Sequence, residues 1–231
     1  MAITTPVSAW WWSNKVEGDG PVKEETRKLA AFTQVTMAGS FSVILQIADG
    51  PPQAIIKAQE NILSIVRSEV SGDELSLFTS DRYSTSEPIQ IALRVPSLKA
   101  ITLAGSGSFT SRGIIKTEHL AITLASSGDI TVQVEVKKLE ISIAGSGDVV
   151  CRGRTGSLEL SVAGSGDFDG AQLSSTSAEV SIAGSGDATV DVTKLLEVSI
   201  MGSGDVTYYG KAQVTKTVLG SGSVRPAEPC W

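Results

Sequence analysis

Apolar and polar residues alternate with a regular period through the second half of the chain. Gly-Ser-Gly motifs, with Ser in place of the first Gly in the second copy, begin at residues 105, 126, 145, 164, 184, 202 and 220. An aliphatic residue stands two positions before each copy, Ser or Thr stands three positions before it, and an apolar residue stands four positions after its start. Such alternation is typical of strands with one buried face. Each repeat is therefore predicted to contain a strand, a bend, a second strand and a loop.

The repeat predicts an all-β fold in which the units stack on one another. A unit of about 19 residues with two short strands cannot bury its apolar face alone. We therefore expect a parallel β-solenoid, or β-helix, of about seven coils with an N-terminal β layer. Glycine adopts positive φ freely and lets successive backbones approach closely at a corner. The predicted structural bends are Gly105, Gly107, Gly128, Gly145, Gly147, Gly164, Gly166, Gly184, Gly186, Gly202, Gly204, Gly220 and Gly222.

Four segments are predicted along the chain. They are a flexible N-terminal segment (1–30), an N-terminal β region that caps the solenoid (31–97), the solenoid repeats (98–226) and a C-terminal tail (227–231). In the last repeat Lys216 replaces a buried aliphatic residue, Ser223 replaces an Asp, and Pro226 follows. A polar final coil with a proline ends a repeat array without offering an open edge. We expect the solenoid to stop near Pro226.

Three further stretches accompany the Ala-Gly-Ser-Gly-Asp series in a fixed order. They are FTQVTMAGSFSV at 32–43, VPSL at 95–98 and GSGSVR at 220–225. With these features the chain resembles the bacterial family called putative autotransporter adhesin, head GIN domain, over about residues 30 to 226. The resemblance implies a right-handed β-helix-like fold in exported or envelope-associated proteins. The family defines no catalytic residues, so the resemblance implies none here.

Composition and charge narrow the classes of function. The chain has 19 Lys and Arg against 25 Asp and Glu, and its net charge of −6 supplies no basic field for phosphates, so we expect no nucleic acid partner. No apolar run reaches the roughly 18 to 20 residues that span a bilayer, so a membrane role would need a missing anchor or signal. The single histidine, His119, cannot form a catalytic triad or a His-rich metal site and is expected on the surface. No cofactor is predicted.

An Asp follows the bend in five successive repeats, and in register these carboxylates would form one column. Its members are Asp129, Asp148, Asp167, Asp187 and Asp205. Two unit charges about 4.8 Å apart repel by roughly 0.9 kcal/mol in water, so something must offset the repulsion. Either each Asp accepts hydrogen bonds from the backbone of its own bend, or a row of Ca²⁺ ions bridges adjacent coils. In the calcium-binding nonapeptide one residue separates the last Gly from the Asp and the period is nine residues, whereas here Gly and Asp are adjacent and recur about every 19 residues. This difference favours the hydrogen bonds over the row of Ca²⁺ ions.

Other polar and aromatic residues have simpler interpretations. A second acidic column is expected on the outward face of the first strand: Glu140, Glu159, Glu179 and Glu197. Cys151 occupies an inward position and is predicted to be an inert buried thiol, whereas Cys230 lies in the tail. Trp10, Trp11 and Trp12 would suit either a partner or membrane interface or docking on the protein's own sheet.

These features favour a non-enzymatic interaction or adhesion module in the cell envelope (periplasm or outer surface) or secreted from the cell. It would present the stacked faces of its coils to a glycan or protein ligand, or to a second copy in a homo-oligomer. Two other classes stay open: a carbohydrate-active β-helix enzyme with paired stacked carboxylates, and a self-assembling structural element. Residues 7–9 have the small-x-small form found before signal cleavage sites, although no charged or apolar stretch precedes them.

Overall fold

The computed structural model describes residues 15–227, of which strands make up 70% and helix 2%, and this confirms the all-β prediction. The N-terminal elements are β1 (Val16–Glu17), β2 (Val22–Lys28), β3 (Gln34–Ala38), β4 (Phe41–Ile47), β5 (Gln53–Gln59), α1 (Glu60–Leu63), β6 (Val66–Ser71), β7 (Glu74–Thr79), β8 (Tyr83–Ser84) and β9 (Ile89–Val95). The following elements are β10 (Ala100–Leu103), β11 (Ser108–Leu124), β12 (Asp129–Gly145), β13 (Val149–Gly164), β14 (Phe168–Gly184), β15 (Ala188–Gly202), β16 (Val206–Tyr209), β17 (Gln213–Gly220) and β18 (Val224–Pro226).

Parallel strands of successive repeats lie directly above one another, residue for residue. Between β12 and β13, Ile141 pairs with Leu160 and Ile143 pairs with Val162, one repeat later. These four side chains are at most 2% exposed, whereas Ser142 between them is exposed. Similar pairing joins β10 to β11 and continues through β17, so the predicted β-solenoid of about seven coils is confirmed.

The coils differ from the prediction in one respect, because in β11 to β15 the second strand of one repeat continues without a loop into the first strand of the next, and a loop (residues 210–212) remains only between β16 and β17 among these repeats. The strands β11 to β15 each run for 15 to 17 residues from one corner to the next. The pairing register shifts between Thr110 and Ile114 and between Gly170 and Ser174, where the chain turns back. Coils above and below keep the backbone hydrogen-bonded through such bulges, so the turn needs no loop.

The N-terminal β region continues the stack of coils. The strands β3 and β4 flank residues 39–40 and pair in parallel with β10 and β11, so these residues form a further corner below Gly105. The strands β7 and β9 pair in parallel with β3 and β4 and form the outermost coil. The spatial order of the coils therefore differs from their order along the chain. The β3–β4 coil comes first in the chain but lies between the β7–β9 coil and the coil of β10 and β11.

Antiparallel strands and the short helix close this end of the solenoid. The pairs β2–β5, β5–β9 and β6–β7 are all antiparallel. The Arg27 guanidinium on β2 donates hydrogen bonds to the carbonyl oxygens of Leu63 (3.3 Å) and Val66 (2.8 Å), which ties β2 to α1 and β6. Ile56 and Ile62 are fully buried beneath this cap.

Part of the predicted flexible segment is ordered. Residues 16–17 and 22–28 form β1 and β2, although the sequence predicts a flexible segment over 1–30. Six of the seven side chains of β2 are exposed, so the strand has no apolar alternation by which it could be recognised. It is held by seven backbone positions paired with β5 and by Arg27.

The opposite end of the solenoid carries no antiparallel cap within the described residues. There β17 pairs only with β15, and β18 pairs only with β16. Lys216 on β17 donates a hydrogen bond from Nζ to the carbonyl oxygen of Val224 (3.2 Å), and β18 ends at Pro226. In the part of the chain that the structure describes, no helix has the length and apolar character needed to cross a membrane.

Candidate functional site

The corner edge of the solenoid is formed by the seven Gly-Ser-Gly corners and repeats almost unchanged. A Cβ atom added at any of the thirteen predicted bend glycines would overlap a backbone carbonyl oxygen of the coil below; at Gly147 this oxygen belongs to Gly128. The first glycine of five corners also has φ between 134° and 147°, where other residues are strained. The bend glycines are therefore required for the close approach of stacked corners.

The predicted column of aspartates forms a hydrogen-bonded chain. We call Asp129, Asp148, Asp167, Asp187 and Asp205 the Asp ladder. The Oδ1 atom of each member accepts a hydrogen bond from the backbone N–H one coil further, at N···O distances from 2.7 to 3.4 Å. At the end of the ladder Asp205 Oδ1 accepts hydrogen bonds from the backbone N–H (2.8 Å) and hydroxyl (2.9 Å) of Ser223. The donor thus belongs to the next coil and not, as the sequence predicts, to the bend of the same Asp.

Hydrogen bonds offset the charge repulsion within the Asp ladder. A hydrogen bond to a charged acceptor contributes about 1.5 to 3 kcal/mol, compared with roughly 0.9 kcal/mol of repulsion between neighbouring charges in water. Across residues 15–227, no group of three or more His, Cys, Asp or Glu side chains is arranged to hold a metal ion. The hydrogen bonds are therefore strong enough to offset the repulsion between neighbouring carboxylates.

The outward-facing glutamates are tied to basic side chains at one end of their column. Lys138 Nζ lies 3.0 Å from Glu159 Oε2 and also contacts Glu140, and His119 Nε2 lies 3.2 Å from Glu140 Oε2. The hydrogen bond from Lys138 lowers the pKa of Glu140. Glu179 and Glu197 are exposed. This column is a solvated and partly ion-paired surface.

The remaining candidate residues are either buried or outside the described range. Cys151 pairs in register with Val132 inside the solenoid, and burial raises the pKa of its thiol. A buried thiol that resists ionisation is a poor nucleophile, since the thiolate is the reactive form. Cys230 and the three tryptophans at 10–12 lie outside the described residues.

The far edge of the solenoid, half a coil away from the corners, differs from coil to coil. It carries a groove of about 510 Å³, lined among others by Ile114, Gln133, Glu135, Arg152 and Arg154. A second groove of about 600 Å³ shares Glu135 and Arg154 with the first and extends to Lys116 and Lys137. We call the two together the far-edge groove, and the strand register places its residues on β11, β12 and β13 with Ser174 of β14 at its margin.

Glu135 lies between two cations in the far-edge groove. Its Oε2 atom is 3.2 Å from Lys116 Nζ, and its Oε1 atom is 2.8 Å from Arg154 Nη2. The hydrogen bond from Lys116 is the main cause of the lowered pKa of Glu135, and Arg154 adds to it. Arg152 donates from Nε to Gln172 Oε1 at 3.0 Å. These contacts hold both guanidinium groups along the groove.

Reasoning from the sequence missed the far-edge groove. One signal was available, since Arg112, Gln133 and Arg152 all stand seven positions after the start of their repeats. The structure does not stack these three residues, because the bulge after Thr110 brings Ile114 opposite Gln133. The repeat that starts at residue 105 is two residues longer than the next one, but the repeat pattern does not show where the bulge takes up these residues. The composition of the groove therefore depends on the three-dimensional structure.

Solved structures share this fold over nearly the whole chain. A putative adhesin from Bacteroides fragilis NCTC 9343 is 21% identical with a TM-score of 0.87, and the match covers 92% of this chain and 100% of that one. A putative lipid binding protein from Parabacteroides distasonis ATCC 8503 is 24% identical with a TM-score of 0.78 (93% and 100% covered). A putative adhesin from Parabacteroides merdae ATCC 43184 is 20% identical with a TM-score of 0.76 (94% and 100% covered). These similarities show a common fold.

The sequence itself also matches a family model. No curated protein matches the chain, but the model described as "Putative auto-transporter adhesin, head GIN domain" matches residues 31–212. This range holds the N-terminal β region and the first six corners, which are the features behind the resemblance seen in the sequence. The chain therefore belongs to the putative auto-transporter adhesin, head GIN domain family.

Proposed function

We propose that this protein is a non-enzymatic adhesion module that acts in the cell envelope or outside the cell and binds a glycan or a protein through the outside of its coils. The family description and two structural neighbours named as putative adhesins support an adhesion role. They also support a location at the cell envelope or beyond it.

The observation that carries the proposal is that the carboxylates of the Asp ladder all have the same surroundings. The carboxylates of the Asp ladder are engaged in the same way in successive coils, each with the backbone of the next. A glycosidase needs two carboxyl groups in unequal surroundings, one as the acid and the other as the base or nucleophile. The equal members of the ladder do not meet this need, which favours binding over catalysis.

The test is binding of the purified full chain to arrays of glycans and of extracellular proteins, with a product assay on each ligand that binds. We expect saturable binding to at least one ligand and no change in that ligand. Release of shorter sugars or cleaved products would contradict the non-enzymatic assignment. Absence of binding on both arrays would contradict the adhesion role.

Self-assembly is a second candidate, favoured by the uncapped end of the solenoid. Met201 and Leu219 are neighbours in register and are 65% and 63% exposed, and β17 has an unpaired edge within the described residues. Unpaired strand edges can join other chains, although a central Lys such as Lys216 discourages this. Light scattering over a range of concentrations separates the two candidates, because an adhesion module stays monomeric whereas a self-assembling element grows in mass.

A further inference from the structure

The far-edge groove gathers positive charge in a protein whose net charge is −6. Its charged lining consists of four cations and two carboxylates: Lys116, Lys137, Arg152, Arg154, Glu118 and Glu135. Glu118 is paired with Lys137, and Glu135 is shared by Lys116 and Arg154. Arg152 has no carboxylate within ion-pair distance among residues 15–227. The groove therefore attracts anions although the whole chain repels them.

The cations are already spaced to hold a carboxylate. Glu135 demonstrates this, because its two oxygens are bound at 3.2 and 2.8 Å by an ammonium group and a guanidinium group from the strands on either side. Arg152 stands beside this pair, directly opposite Gln133, and its Nε is anchored by Gln172. Because only Nε is used in this contact, the remaining N–H groups of Arg152 can donate to a further acceptor.

The shape of the groove suits a long polar chain. Each part crosses β11, β12 and β13, and the two parts are continuous along these strands through Glu135 and Arg154, so the groove has room for an extended ligand. The amide of Gln133 can exchange hydrogen bonds with hydroxyl groups, and Ile114, which is 44% exposed, offers an apolar contact to the C–H face of a sugar ring.

We propose that the far-edge groove binds an acidic polysaccharide, whose carboxylate groups pair with Arg152 and Arg154 while its sugar rings lie against Ile114. This inference rests on the proposed adhesion role and names the ligand class and its site. A polypeptide fits less well, because an extended peptide commonly binds by adding a strand to an open sheet edge. The strands β12 and β13 are paired on both sides along the groove and offer no such edge.

The experiment measures binding of the full chain to polygalacturonate, a polymer of uronic acid, with dextran as the neutral polysaccharide and poly-L-glutamate as the acidic polypeptide. The test variant is Arg152→Gln with Arg154→Gln. Its matched control is Lys28→Gln with Lys57→Gln, which removes the same charge from exposed positions on β2 and β5. Melting curves of all proteins verify that both variants are folded.

We expect polygalacturonate to bind the original chain and the control equally, and to bind the Arg variant roughly tenfold more weakly, as the loss of two surface charge pairs implies. Added salt should weaken binding, and dextran should not bind. Equal binding by the Arg variant, or equally tight binding of poly-L-glutamate, would overturn the proposal. If another glycan or a protein binds while polygalacturonate does not, this inference fails and the adhesion role stands; if no array ligand binds either, both fail.

Discussion

The corner edge and the far edge belong to the same coils but differ in how much they change from one repeat to the next. At the corner edge the same glycines and aspartates return in successive coils, and each contacts its counterpart in the neighbouring coil. At the far edge Ile114, Gln133 and Arg152 occupy neighbouring places on three strands. Contacts between identical corners therefore require repetition, whereas the outward-facing side chains of the far edge are free to vary.

This freedom has a physical origin in the direction of the side chains. A side chain at a bend glycine would overlap a carbonyl oxygen of the preceding coil, so these glycine positions tolerate substitution poorly. The far-edge residues Ile114, Arg152 and Arg154 point outward and are exposed, so changes there cost little stability. Variation in an otherwise repeated fold therefore indicates where ligand recognition can develop.

The largest expected effect is that of Gly147→Ala at the corner edge. The added Cβ would overlap the carbonyl oxygen of Gly128, and the coils must move apart to accept it. We expect the free energy of unfolding to fall by about 3 kcal/mol, the upper part of the range for overpacked sites. Chemical denaturation measures this loss. The control is Ser146→Ala in the same corner, whose side chain is exposed, and an equally small effect of both substitutions would refute the role of close packing.

A smaller effect is expected in the Asp ladder. Asp187→Ala removes the acceptor of the Asp205 backbone N–H, at 2.7 Å, and should lower the free energy of unfolding by about 1 kcal/mol. Asp187→Asn keeps an oxygen at this position and removes one charge from the column, so its effect should be within about 0.5 kcal/mol of zero. Denaturation of the two variants side by side is the measurement. A large loss for Asn as well would show that the charge itself is required.

The smallest effect is expected from the ion pairs of the far edge as pH falls. Basic partners lower the pKa of Glu118 and Glu135 in the folded chain below 4.5, so these pairs stabilise the fold above that pH and are lost as pH drops further. Both groups are exposed, so solvent screens the contribution and salt reduces it. Melting temperatures measured from neutral to acidic pH should decline less for Glu135→Gln than for the original chain. A steeper decline in that variant would contradict this account of Glu135.

Prediction from the sequence succeeds where a residue contacts its own counterpart in the next coil. The inward positions of Ile141 and Val162 follow from the alternation of apolar and polar residues and from the repeat period, because every repeat has the same pattern. For the Asp ladder the sequence predicts the wrong hydrogen-bond donor, the bend of the same coil, whereas the donor is the backbone N–H of the next coil. The choice between these two nearby N–H groups depends on the exact rise between coils. The sequence does not predict the strand β2, because backbone pairing with β5 stabilises it and it has no apolar face.

The far-edge groove shows a different limit. Its residues come from repeats of unequal length, and the bulge that sets Ile114 opposite Gln133 takes up the two extra residues of the first repeat. The spatial order of the first coils is equally hidden, because β7 and β9 are placed outside β3 and β4 although they follow them in the chain. Both features depend on long-range contacts that no local pattern encodes.

The most direct test of the division between the two edges is to follow backbone amide signals by NMR while polygalacturonate is added to the isotope-labelled full chain. Binding at the far edge predicts shifts at residues 112–116, 133–137 and 152–156, with the corner signals unchanged. Shifts concentrated at the corner serines and the Asp ladder, with the far edge silent, would contradict the account, because the repeated edge would then be the one that recognises the ligand.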